Sequence, residues 1–100
     1  MAIGFADYQM RIFSAAQNSE QLKIDVTAVD SIGTFSQEVR SILIYNTGPN
    51  VVHFNEDAVS TVDNFEIPAK AWFSVDIPVT HVHLICAAAE TATCYVIGLW

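Results

Sequence analysis

Basic residues are few in this 100-residue chain. Arg11, Lys23, Arg40 and Lys70 stand against eleven acidic residues, for a formal net charge of −7. Nucleic-acid binding needs a basic footprint on phosphate, so a nucleic-acid partner is not expected. An anionic membrane surface is disfavoured for the same reason. Charge of either sign is sparse, at 15% of residues against about 25% in ordinary domains. Uninterrupted apolar runs of spanning length are missing too. HVHLICAAAETATCYVIGLW leans apolar but is broken by His83, Glu90, Thr91 and Thr93, so no membrane span is expected. The N-terminus has no basic region leading into an apolar one, because Asp7 and Arg11 interrupt it, and no signal peptide is read there.

Cysteine is limited to Cys86 and Cys94. On two arms of one hairpin turning at Ala89, Glu90 and Thr91 they would stand opposite each other, within reach of a disulfide. The alternative is a pair of buried thiols in a reducing compartment. Catalytic and phosphate-binding signatures are absent: no G-x-S-x-G, no P-loop and no G-x-G-x-x-G occurs. The cysteines lie in apolar segments with no activating cation nearby in sequence, and Asn55, Glu56 and Asp57 lack calcium-loop spacing and glycine. No enzyme activity, cofactor or metal is expected. His81 and His83 would share one strand face, with His53 as a third imidazole from another strand. Solvent or subunit contact is the favoured account of them, because Val82, Leu84 and Cys86 make the better core face.

What the chain does have is apolar surface. Hydrophobic residues are 52% of it and mean hydropathy is +0.35. The chain is of single-domain length and can bury roughly two-thirds of its unfolded surface. A charge-poor chain this apolar is expected to cover some outer surface against partners.

Alternation places the strands. Leu22, Ile24, Val26 and Ala28 oppose Lys23, Asp25 and Thr27. Asp30, Ser31 and Gly33 break that strand, and another resumes near Phe35. In the run 39–46, Val39, Leu43 and Tyr45 take one face and Ile42 and Ile44 the other, which predicts a central strand. A turn on Asn46, Gly48, Pro49 and Asn50 leads into a strand at 51–55. NEDAVSTVDN is a polar loop with a short strand at its centre, and Pro68 suits a sheet edge. Phe73, Val75 and Ile77 alternate with Trp72, Ser74 and Asp76. Strands THVHLICA and TCYVIGLW close the chain. Seven or eight short strands about ten residues apart predict an all-β, single-domain antiparallel β-sandwich, jelly-roll-like, over 21–100. Residues 1–20 form an N-terminal arm ending in a turn at Asn18, Ser19 and Glu20. Exposed aromatics more often make interfaces than glycan platforms, so Phe5, Tyr8, Ile12, Phe13, Trp72 and Trp100 are the candidate interface residues.

The order of these motifs resembles a family. An apolar strand ends in an Asn-x-Gly turn (SILIYNTGPN), a second carries an aromatic (VVHFN), a polar loop precedes a prolyl segment (FEIPAKAWFSVDIP), and two strands flank a small-residue turn (VTHVHLICAAAETATCYVIG). Across residues 39–98 this resembles the small β-sandwich virion proteins of tailed bacteriophages. Two turns depart from the pattern: Ala88, Ala89 and Glu90 replace a glycine turn, and Pro68, Ala69 and Lys70 replace a Pro-Gly-like one. The resemblance implies a homo-oligomeric decoration or cement subunit on the outside of the head, bound to the major capsid protein and to copies of itself and assembled in the host cytoplasm. It carries no catalytic residues. A neck, tail or fibre-base component is the alternative within a particle, and a module for host glycan or receptor is the alternative outside that class.

Overall fold

The structure, a computed structural model, describes residues 18–100. Phe5, Tyr8, Ile12 and Phe13 lie outside the described residues, as does most of the expected arm. Among the described residues there are eight strands and no helix. They are β1 (Ser19–Val26), β2 (Ser31–Val39), β3 (Ser41–Pro49), β4 (Val52–Glu56), β5 (Phe65–Ile67), β6 (Ala71–Val75), β7 (Val79–Ile85) and β8 (Ala92–Leu99). One antiparallel sheet, sheet A, has the order β1-β8-β3-β6, and the other, sheet B, has the order β2-β7-β4-β5. The two pack face to face as the predicted sandwich. Consecutive strands switch sheets everywhere except β4 to β5, the two-Greek-key arrangement of a jelly roll.

Inward positions of both sheets supply one core. β1 contributes Ile24 and Val26, β3 Ile42 and Ile44, and β8 Ala92, Cys94 and Val96; Phe35, Val52, Phe54, Ile67, Val82 and Leu84 meet them from sheet B. Fully burying a branched side chain of this kind is worth about 1.5–3 kcal/mol relative to exposure. Phe73 of β6 stacks at 5.3 Å on Phe54 and at 4.6 Å on Phe65. These three rings close the side of the sandwich where β6 and β5 are the edge strands.

Several expectations are corrected. The run 39–46 is not one strand: the chain crosses between sheets at the exposed Arg40, so Val39 ends β2 and Ile42 begins the core face of β3, both buried. Gly33 does not break a strand but lies inside β2. It faces β1 so closely that an added Cβ would lie 2.5 Å from Ile24 Cδ1, the role of a strand glycine at a close approach. Ser19 and Glu20 are not a turn; they pair with Leu99 and Gly98 of β8. Glu20 also accepts from the Ser36 amide and hydroxyl at 2.9 and 2.7 Å, which together lower its pKa. Finally, no strand forms between Asp57 and Asn64.

The two segments expected to be joined by tight turns, β3–β4 and β7–β8, are not hairpins. Each connection carries the chain from one sheet to the other. In the first, Asn46 is fully buried and bonded at every polar atom. Its Nδ2 donates to the carbonyls of Asn50 and Ile67 at 2.9 Å, and its Oδ1 accepts from Gly48 N at 2.8 Å. Asn46 therefore ties β3 to the connection and to β5. In the turns at Pro68–Lys70 and Ala88–Glu90, Lys70 and Ala89 hold positive φ of 64° and 65°, the backbone region glycine fills most easily.

Candidate interaction face

Sheet A turns its second side away from the core. Its outward residues are set by alternation and by the register of four strands. One cross-strand row runs Lys23, Tyr95, Tyr45, Trp72 from β1 to β6. The next runs Gln21, Ile97, Leu43, Ser74, and the next Ser19, Leu99, Ser41. In the first two rows the two central strands thus carry apolar or aromatic side chains, and the β1 edge carries polar ones. Leu43 and Leu99 are already buried at one end of the face. The aromatic row is not: Tyr95 is 49% and Trp72 52% exposed. Tyr45 and Trp72 stack with ring centroids 4.5 Å apart and planes tilted by 34°. Such a pair contributes about 0.5–1.5 kcal/mol beyond its buried area and holds both rings in place.

Trp72 lies on an open sheet face, in one row with Tyr45 and Tyr95. Trp100 is placed differently. It packs half-buried against the core, and its backbone N–H and C=O pair with those of Asn18 at 3.0 and 2.8 Å. Tyr45 and Tyr95 are the residues of this row that sequence reasoning missed, and Tyr95 is the exposed one. Its signal lay in the alternation of Thr93, Tyr95 and Ile97 against Cys94 and Val96 in the last strand.

The outward side of sheet B is more polar and carries the histidines. His81 and His83 face outward from β7, with rings 6.4 Å apart. Their nitrogens do not converge. His81 Nδ1 pairs with Thr34 Oγ1 at 3.1 Å, His83 Nδ1 donates to Asp30 Oδ2 at 2.9 Å, and His53 Nδ1 donates to the Asn64 carbonyl at 3.1 Å. Among the described residues no group of three or more His, Cys, Asp and Glu is placed to hold a metal ion.

Asp30, Ser60 and His83 contain the three residue types of a hydrolytic triad in the wrong order. Both Ser60, through its hydroxyl and its amide, and His83 donate to the Asp30 carboxylate. The serine hydroxyl is thus held by the carboxylate and not by the imidazole, unlike the serine–histidine–aspartate order of a triad. Burial pushes the Asp30 carboxyl up, but the two Ser60 bonds and His83 outweigh it and leave its pKa below the usual carboxylate value. The arrangement pins the 57–64 loop over sheet B, together with Asn55 Nδ2 donating to Val59 O at 3.1 Å.

Cys86 and Cys94 are free and buried. Burial, then Glu90, raises the Cys86 thiol, and burial, then Cys86, pushes Cys94 up to about 12. A thiol held neutral in this way is a poor nucleophile. Sequence comparison with protein-family models and with curated proteins finds no match for this chain.

Proposed function

We propose that this chain is a structural subunit of a tailed-bacteriophage virion, a decoration or cement protein on the outside of the head. The observation that supports it is the aromatic row on sheet A, a sheet face built like the centre of a protein interface on a domain whose core is already filled. Interface centres concentrate Tyr and Trp and lack charge, and the polar β1 edge matches a rim. The jelly-roll order adds an analogy of fold only, since that architecture serves capsid and lectin domains alike.

The action is mechanical. A small, acidic sandwich clamps neighbouring capsid subunits and its own copies, and each buried apolar patch raises the work needed to separate them. Residues 1–17, with Phe5, Tyr8, Ile12 and Phe13, are the capsid-docking element in this proposal, and the sandwich faces neighbouring copies.

The test is quantitative mass spectrometry on purified particles that contain the chain. Copies in a fixed ratio to the major capsid protein support decoration. A number equal to one ring assigns the neck or tail instead, and absence from particles overturns the proposal.

A further inference from the structure

We propose that the outer face of sheet A pairs with the same face of a second copy, about a two-fold axis running along the strands between β8 and β3. The inference deepens the structural-subunit proposal and rests on it, by naming the self-contact.

The rows carry the argument. An isologous contact must place a surface on its own image. An axis along the strands reverses each row while keeping it level. The row Lys23, Tyr95, Tyr45, Trp72 then lies on Trp72, Tyr45, Tyr95, Lys23 of the second copy. Each lysine is brought over an indole, and each tyrosine over a tyrosine. Ammonium over indole is the best of the side-chain cation–π combinations. The row below places Ile97 on Leu43 and Gln21 on Ser74. Charge agrees as well. Asp25, at the upper end of β1, meets the end of the opposite edge where Lys70 precedes β6 and its amide donates to Asn46 O. Ser19, at the lower end, meets the end that holds Asp76, the acceptor of the Ser41 hydroxyl. No like charges are brought together. A two-fold axis across the strands at the aromatic row would instead lay each residue on its own copy, Trp72 on Trp72 and Lys23 on Lys23, and so bring like charges together.

Size sets the strength. Four strands about 4.8 Å apart and four or five residues about 3.4 Å apart make a patch on the order of 300 Å² per copy. That is well below the roughly 800 Å² per partner of a standard interface, so free copies pair weakly. Anchoring many copies on one surface raises their effective concentration and makes the weak contact count.

Sedimentation velocity of the full chain from micromolar to millimolar concentration reads the pairing. A sedimentation coefficient that rises with concentration is expected. Trp72→Ala should raise the dissociation constant at least about tenfold, and Lys23→Ala about two- to fivefold. Both positions are exposed, and a thermal melt shows whether each variant folds. Geometry is read separately by oxidising mixtures of Lys23→Cys and Trp72→Cys copies, whose native thiols are buried. Disulfides between K23C and W72C, with W72C not joining to itself, support the axis; W72C joined to W72C overturns it. A monomer at every concentration overturns the pairing. If Trp72 is then shielded from solvent labelling, residues 1–17 of the same chain hold the face; if it gains shielding only on particles, the capsid protein does. Pairing in a chain absent from particles removes the virion proposal and leaves this one standing. Incorporation without pairing does the reverse.

Discussion

Gly98→Ala is the substitution to which this sandwich should be most sensitive for its size. Gly98 sits in β8 between Glu20 of β1 and Ile42 of β3 and faces β2 across the core. A Cβ there would lie 2.6 Å from Phe35 Cε1, 2.8 Å from Phe35 Cζ and 2.7 Å from Val39 Cγ1. Non-bonded carbons prefer about 3.5–4.0 Å. A rigid ring and a β-branched side chain, both buried, cannot withdraw by rotamer adjustment. Overpacking of this kind costs about 1–3 kcal/mol. Replacing a strand glycine returns about 0.5–1 kcal/mol of that. Three contacts under 3 Å place the cost at the upper end of that range, and the resulting net loss of about 2 kcal/mol corresponds to a Tm lower by roughly 8–16 °C in a domain of this length.

Gly33→Ala is the internal control. Its added methyl meets Ile24 Cδ1 at 2.5 Å, and Ile24 Cγ1 and Leu22 Cδ1 at 3.1 Å. The nearest of these atoms is the end of a flexible side chain, which can turn aside, so the loss should stay under about 1 kcal/mol. Urea and thermal denaturation followed by circular dichroism measure both variants. The reasoning is refuted if Gly98→Ala is as stable as the parent, or if Gly33→Ala is the more damaging.

Two further predictions concern buried polar and sulfur atoms. Asn46→Asp turns two donors facing the Asn50 and Ile67 carbonyls into acceptors, and should cost about 3 kcal/mol or more by urea denaturation at neutral pH. A loss below 1 kcal/mol would mean that Asn46 does not tie β3 to β5. Cys94 has its thiol pKa raised on folding to about 12, against about 8.5 in an unfolded chain. Because the folded value is the higher one, its contribution is complete below about pH 8.5 and is lost as pH rises towards 12, a decline on the order of 5 kcal/mol. Cys94→Ala should flatten the alkaline limb of the stability–pH curve; an unchanged slope would contradict burial of that thiol.

Much of the architecture was legible because alternation is a local signal. Ile24 and Val26, Val82 and Leu84, and Phe73 and Val75 all face the core as their spacing indicates. What escaped is non-local. The short links after β3 and after β7 look like hairpin turns, and nothing in Gly48–Pro49 or Ala88–Ala89 says that the next strand joins the other sheet. Val39 and Ile42 break period two because Arg40 carries the chain between sheets, so a residue from each side of the crossing reaches the same core. Asn46 reads as turn chemistry, yet its role is set by Ile67, 21 residues away. The candidate face divides the same way. Trp72 stands out by alternation alone, whereas Tyr45 and Tyr95 become its neighbours only through the order β1-β8-β3-β6.

Hydroxyl-radical labelling of Trp72 and Tyr95, compared between the dilute free chain and purified particles carrying it, tests most directly whether this face is built for neighbours. Strong labelling of both rings in the free chain, with severalfold protection on the particle, is the predicted result. Equal labelling in the two states would contradict it, since the aromatic row would then face water in the assembly as it does alone.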